Sequence, residues 1–246
     1  MNARRDELAA NLAEVRRRVD AACRAAGRDV NEITLVAVTK TFPASDVRLL
    51  AGLGVTDVAE NRDQEAAPKA AASADLPLTW HFVGRLQTNK VRSVLAYADV
   101  VHSVDRARLI TALSAAAVRA GRRPRCLVQV SLDAPPGPGE AADDAASERG
   151  WRGGALFPEV PALADAIAAA EGLELGGVMA VAPLGADPAP AFARLAEIAA
   201  AVRAAHPGAT IMSAGMSGDL EQAIACGATH LRVGTALLGG RQAIVR

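Results

Sequence analysis

The sequence predicts an α/β protein built as a single (β/α)8 barrel, a TIM barrel preceded by one extra helix. Three observations carry this. Short runs rich in β-branched and apolar residues alternate with helical periodicities from Ile33 to Gly234, an alternation that implies parallel strands covered by helices. About eight such units fit into 246 residues, a length that suits a closed barrel better than an open doubly wound sheet. The first strand is not followed by Gly-x-Gly-x-x-Gly, and Gly-x-x-x-x-Gly-Lys-Ser/Thr does not occur, which argues against a dinucleotide crevice and a nucleotide P-loop.

The elements follow in order. Asp6 to Ala26 carries Leu8, Leu12, Val15, Val19 and Ala22 at helical spacing and stops at Gly27, which reads as a long amphipathic helix. Ile33 to Thr39 is the first strand. Pro43 sets a turn, and a helix from Ala44 or Ser45 to Leu53 closes at Gly54. Asp57 to Asn61 is the second strand, Asn61 to Ala72 a helix, Trp80 to Gly84 the third strand, and Gln87 to Tyr97 a helix. Asp99 to Ser103 is the fourth strand, with Asp105 as the expected N-cap of a helix to Ala120. Cys126 to Leu132 is the fifth strand. The segment from Ala134 to Gly150 is rich in Pro, Gly, Ala and acid, too poor in large apolar side chains to order itself, and reads as a mobile surface loop. Pro158 to Ala170 is a helix, Leu175 to Val181 the sixth strand, and Pro188 to Ala205 a helix with proline at its start. Ala209 to Ser213 is the seventh strand, Ser217 to Cys226 a helix, His230 to Gly234 the eighth strand, and a short terminal helix or coil follows.

Composition narrows the function. Hydrophobic residues make up 51% of the chain, ample for one large core spanning residues 1–246. Lys+Arg and Asp+Glu are both 27 and aromatics are 3%, so neither an electrostatic footprint for nucleic acid nor a base-stacking platform is present. No apolar run reaches bilayer length. Cys23, Cys126 and Cys226 have no metal-ligand spacing and suggest a reducing cytoplasm; His102, His206 and His230 show none either. Met1 to Glu7 leads into a charged helix and not an apolar signal segment.

Barrel sites form at the C-terminal strand ends. That rule selects Lys40, Asn61, Gly84, Ser103, Met179, the Ser213–Asp219 turn and Arg232–Thr235. Lys40 has two readings. It snorkels into water, or its amine is partly desolvated, with a lowered pKa suited to a Schiff base with an aldehyde. The turns after strands seven and eight are rich in glycine and hydroxyl, the usual phosphate cradle of this fold, although Ser217 serves equally well as a plain helix N-cap. Closing the ring makes strand eight the neighbour of strand one, so the cradle lies beside Lys40. An aldehyde joined to a phosphate through a small ring fits that pair, and pyridoxal 5'-phosphate is such a molecule. Arg232 would face the ring nitrogen as a permanent donor; otherwise it is a rim arginine paired with a carboxylate. Lys90 reads as a solvated rim residue or as a second cofactor lysine.

With these residues in place, the chain resembles the pyridoxal-phosphate homeostasis protein family, whose barrel is similar to the N-terminal domain of alanine racemase. The resemblance runs from Leu8 to Arg241 and is carried by Leu35-Val-Ala-Val-Thr-Lys40, Glu60-Asn61, Trp80 to Lys90, His102-Ser-Val-Asp105, Gly177-Val-Met179, Ser213 to Asp219 and Arg232-Val-Gly-Thr235. It implies that Lys40 holds the cofactor as an internal aldimine, that Ser217, Gly234 and Thr235 bind its phosphate, and that Arg232 contacts the pyridine nitrogen. Asn61, His81 and Met179 stand in motifs expected near the ring. The chain departs from the family at Ala214, where methionine is usual and a side chain near the phosphate turn is lost, and at Arg85, where histidine is common. It departs again in the longer, more acidic segment after strand five, with Arg152-Gly-Gly154 for Lys-x-Gly.

The leading expectation is a cofactor-holding homeostasis protein without robust turnover, a cytoplasmic monomer that releases the cofactor to client enzymes. A two-base racemase needs a second acid–base group on the opposite cofactor face. In alanine racemases a tyrosine from a second domain supplies it, whereas this chain ends shortly after strand eight and its Tyr97 falls toward the other pole. The alternatives are a weak amino-acid racemase or a Schiff-base aldolase acting on a phosphorylated sugar through Lys40. A further alternative is that the 134–150 segment mediates a protein contact.

Overall fold

In the structure, a computed structural model, residues 3–133 and 153–240 are described. The segment 134–150, expected as a surface loop, and Arg152 lie outside the described residues. Eight strands form a closed barrel in sequence order: β1 (Thr34–Val38), β2 (Asp57–Glu60), β3 (Thr79–Phe82), β4 (Val100–Val104), β5 (Arg125–Gln129), β6 (Glu174–Met179), β7 (Ile211–Ser213) and β8 (His230–Val233). All neighbouring pairs are parallel, and β8 closes on β1 with Val36 beside Arg232 and Ala37 beside Val233. The helices are α1 (Ala3–Ala26), α2 (Ala44–Ala51), α3 (Asp63–Ala71), α4 (Val91–Val94), α5 (Ala107–Ala120), α6 (Val160–Ala169), α7 (Pro188–Ala205), α8 (Leu220–Ala225) and α9 (Thr235–Leu238).

Side-chain alternation divides the strands between two cores. Ala37, Val58, Trp80, Phe82, Val101 and Val128 face outward into the large cluster beneath the helices. Fully buried Phe192 and Leu195 of α7 lie in that cluster, and each such side chain stabilises by roughly 1.5–3 kcal/mol. Inside the barrel, Val36, Val38 and Ala59 form one small apolar cluster, and Val100, Leu127, Met179 and Ile211 form another. Polar side chains also enter the interior, and they matter below. At β6, Gly177 (φ +141°) has no room for a side chain, since a Cβ there would lie 2.0 Å from the Ile211 carbonyl oxygen.

Helix α1 buries Leu8, Leu12, Val15 and Val19 and packs over α8 and α9. Its polar side chains hold the far end of the chain. Arg18 donates to the Ser217 carbonyl at 3.0 Å, Asn11 to the Leu237 carbonyl at 3.0 Å and Arg4 to the Leu238 carbonyl at 3.0 Å. Helix α7 begins as expected, with Pro188 in its first turn and the Asp187 carboxylate accepting the Ala189 N–H at 3.0 Å.

Three features differ from the sequence reading. The helix expected over 87–97 is a 3-10 turn at Thr88–Lys90 followed by the single turn of α4. Beyond it the chain tightens at Leu95 (φ −70°, ψ −7°), and the Asp99 N–H reaches the Trp80 carbonyl at 2.8 Å to start β4. Asp105 caps no helix, because its carboxylate is taken by Arg106, which also donates to the Leu86 carbonyl at 2.7 Å. Ala214, at the start of the turn after β7, is fully buried in the outer core, so the smaller side chain there changes packing.

Candidate functional site

Lys40 stands two residues beyond the end of β1, after Thr39, and Thr41 turns the chain with φ +69°. The residue before it is clamped. Thr39 is fully buried, its hydroxyl donates to Glu60 Oε1 at 2.6 Å, and its carbonyl accepts from Lys69 Nζ at 2.9 Å. Lys69 on α3 also pairs with Glu60, the last residue of β2, and both side chains are buried. Burial pushes the Glu60 carboxyl above its usual range, against the lowering effect of Lys69 and Thr39. Glu60 Oε2 is buried with no hydrogen-bond partner, so this pair is held by one carboxylate oxygen only.

Lys40 itself is exposed at the rim. The desolvation that a strand-end lysine invites is absent, because the amine lies past the last ladder residue. No hydrogen bond or ion pair to another described residue occupies it. It lines a cavity of about 450 Å3 with Asn61, Val83, Gly84, Met179, Val181, Met216, Ser217, Gly218, Arg232, Gly234 and Thr235, a size within the usual range for small ligands. Gly84 at the end of β3 brings two strand ends together, since a Cβ there would lie 2.0 Å from the Asn61 carbonyl oxygen.

The two turns expected as an anion cradle are stitched to each other. Ser217 Oγ accepts the Ala236 N–H at 3.2 Å, so Ser217 is not the N-cap of α8, which begins after Asp219. An accepting hydroxyl keeps its own proton free to donate into the cavity. Asp219 instead accepts the Met216 N–H at 2.5 Å and closes its own turn. Gly234 packs against Val38, where a Cβ would make ordinary contact at 3.5 Å.

Arg232 lies deeper, 5% exposed. It donates from Nη1 to Ser213 Oγ at 2.7 Å and from Nη2 to the Ala180 carbonyl at 2.8 Å, and among the described residues it pairs with no carboxylate. Burial pushes its pKa down to about 10, with Asp219 opposing; it is still a cation at neutral pH. A buried guanidinium without a counter-anion is costly, and its cavity side suits an anionic or accepting ligand.

Seven of the eight residues selected from the sequence, Lys40, Asn61, Met179, Ser217, Arg232, Gly234 and Thr235, line this cavity. His81 does not. It projects into the barrel interior, where it is hydrogen-bonded to His102 and Asp57. The sequence reading singled out the motifs holding Glu60 and Ser213 without giving either residue a role, and it passed over Lys69. For Glu60 and Ser213 the only local signal was a charged or hydroxyl residue at a strand end; Lys69 lies within α3 and gave none, and the partner of each lies elsewhere in the chain. Tyr97 is on the other side of the molecule, edge-on to Trp80 at 6.1 Å, and lines a separate hollow with Asp99 and Arg122. Among the described residues no cluster of three or more His, Cys, Asp or Glu could hold a metal ion, and no helix is long and apolar enough to cross a membrane.

Comparison with known proteins places the barrel in a family. A family model described as alanine racemase, N-terminal domain, matches residues 4–242. A pyridoxal phosphate homeostasis protein of Mycobacterium tuberculosis is 45% identical over 97% of this chain and 95% of its own length. The structure of PipY from Synechococcus elongatus with pyridoxal phosphate bound superposes with TM-score 0.73 at 34% identity, covering 94% of this chain and 100% of that one. An alanine racemase of Clostridium difficile superposes with TM-score 0.67 at 13% identity over 97% of this chain and 58% of that one, a likeness of fold alone.

Proposed function

The chain belongs to the pyridoxal phosphate homeostasis proteins, within the family of alanine racemase N-terminal domains, and from that premise we propose that it binds pyridoxal 5'-phosphate as a Schiff base on Lys40. In this reading it holds the cofactor for release to client enzymes, without robust turnover of its own. The observation that carries the reading is one cavity shared by an unpaired amine, a buried guanidinium lacking a carboxylate and two hydroxyl- and glycine-bearing turns. When bound, the cofactor supplies an aldehyde that condenses reversibly with an amine and a pyridine ring that withdraws electrons.

The chain's own residues divide the work. Lys40 provides the amine, and the Glu60–Lys69 pair fixes the carbonyl behind it. Ser217, Gly234 and Thr235 hold the phosphate. Arg232 donates to the pyridine nitrogen and, because it only donates, keeps that nitrogen unprotonated. Asn61 and Met179 flank the ring. Among the described residues lining the cavity, Lys40 is the sole side chain suited to moving a proton to or from carbon. A two-base racemisation needs a second, so holding the cofactor fits better than turning over substrate. The reading takes the protein as a cytoplasmic monomer, which sedimentation of the loaded protein tests.

Borohydride reduction followed by peptide mass measurement tests the assignment. The chain has three lysines, Lys40, Lys69 and Lys90, and Lys69 is buried against Glu60. The expected result is one phosphopyridoxyl adduct on the Lys40 peptide, absent in Lys40→Ala. An adduct confined to Lys90, or none at saturating cofactor, refutes the assignment. Alanine racemisation at ordinary enzyme rates, lost in Lys40→Ala, refutes the holding role.

A further inference from the structure

Five side chains cross the barrel interior in one unbroken line. Asp57 Oδ1 is 2.9 Å from His81 Nε2, His81 Nδ1 is 2.8 Å from His102 Nε2, His102 Nδ1 is 3.0 Å from Ser213 Oγ, and Ser213 Oγ is 2.7 Å from Arg232 Nη1. His81, His102, Ser213 and Arg232 are all buried. Asp57 stands at the start of β2, half-buried, and lines a hollow at the opposite end of the barrel from Lys40, with Arg16 and Asp20 of α1. The line therefore joins the two ends of the molecule.

The donors and acceptors allow one ordering when both rings are neutral. A guanidinium only donates and a carboxylate only accepts. Arg232 donates to Ser213 Oγ. The Asp57 carboxylate accepts, so His81 carries its proton on Nε2 and offers Nδ1 as an acceptor. His102 then carries its proton on Nε2, donates it to His81, and accepts the Ser213 hydroxyl proton on Nδ1. Every bond points from Arg232 toward Asp57. The electrostatics agree. Burial, reinforced by the nearby Arg232 guanidinium, holds His102 well below the usual imidazole range. Burial pushes the Asp57 carboxyl up, but the bonds from His81 and Thr56 outweigh it and leave the group below its ordinary value.

We infer that Asp57, His81, His102 and Ser213 are positioning residues that aim Arg232 into the cavity and lock it there as a donor. Asp57 is the distant anion that sets the direction of the line. Among the described residues no carboxylate is hydrogen-bonded to Arg232, and the aligned dipoles of one hydroxyl and two imidazoles carry its compensation to the far end. This inference rests on the proposed reading only in taking the bound ring as what Arg232 faces. It also gives His81 a role in the site without contact with the ligand.

Two measurements on the full chain test it. Nitrogen-15 NMR of the cofactor-free protein, which has four histidines to assign, reads the tautomers directly. His81 and His102 are both expected as neutral Nε2–H forms, and Asp57→Asn, whose amide can also donate, is expected to mix them. Titration with pyridoxal phosphate is the second measurement. Asp57→Asn and Ser213→Ala are expected to weaken binding at least threefold and to shift the absorbance of the bound cofactor, with inorganic phosphate affinity and far-UV circular dichroism unchanged. His102 found as the Nδ1–H form in the wild type overturns the inference. So do folded variants whose cofactor affinity and spectrum equal the wild type's. If the wild-type protein binds no pyridoxal phosphate, the functional reading fails, and the tautomers alone then decide the relay.

Discussion

Replacing Lys69 by methionine isolates the clamp behind Lys40. Lys69 and Glu60 side chains are 6% and 0% exposed, so the substitution leaves a carboxylate buried with one remaining partner, Thr39 Oγ1 at 2.6 Å, and a second oxygen that already has none. Removing one member of a buried pair costs about 3–5 kcal/mol, or roughly 6–20 °C of melting temperature for a chain of this size. The Glu60 carboxyl already titrates above its usual range because of burial, and losing Lys69 removes the effect that opposed it. A raised folded pKa contributes stability that is full below the unfolded value and is lost as pH rises through the folded one. The deficit of Lys69→Met is therefore smaller at pH 5 than at pH 8. Denaturant unfolding at both pH values measures it, with Glu60→Leu and the double variant completing a cycle. The double variant should lose about 2–3 kcal/mol less than the sum of the single losses. A loss under ~1 kcal/mol in Lys69→Met, a deficit independent of pH, or an additive cycle would refute the clamp.

Other outcomes follow from single contacts. Burial pushes His230 down to about 4 from its ordinary 6.5, and a depressed histidine contributes stability above 6.5 that is lost as pH falls toward 4; thermal scans should show a loss of at most about 3 kcal/mol across that window, and an unchanged slope in His230→Asn would contradict it. Gly84→Ala forces a Cβ to 2.0 Å from the Asn61 carbonyl oxygen and should cost over ~2 kcal/mol along with the Lys40 adduct. Gly234→Ala, with 3.5 Å available, should fold within ~1 kcal/mol of wild type yet bind pyridoxal phosphate several-fold more weakly by titration. Arg18→Met removes the donor to the Ser217 carbonyl and the pair with Glu221; about 1 kcal/mol of stability and a few-fold of cofactor affinity should go, and unchanged affinity would mean that α1 does not brace the phosphate turns.

Alternation of short apolar runs with helical spacing was enough to call for a closed ring, and closure alone made Arg232 the neighbour of Val36. The rim residues Lys40, Ser217, Gly234 and Thr235 were legible because strand ends are local features, marked by where an apolar run stops. The interior was not legible in the same way. Asp57, His81, His102, Ser213 and Arg232 come from five strands, and no spacing along the chain says which inward-facing residues sit at the same height. That depends on the stagger of the strands. The same holds for Lys69, nine positions after Glu60, which reads as a surface lysine until α3 turns it inward.

The sequence by itself determined the ring, its strand order and which strand ends carry an amine and the glycine- and hydroxyl-bearing turns, because periodicity and turn chemistry are properties of neighbouring residues. Only the tertiary structure decided that Lys40 stands free while Lys69 is buried, and that His81 is joined to Arg232 through two hydrogen-bonded side chains. Those outcomes depend on which buried polar groups meet at hydrogen-bond distance, and for groups far apart in the chain that is set when the barrel packs.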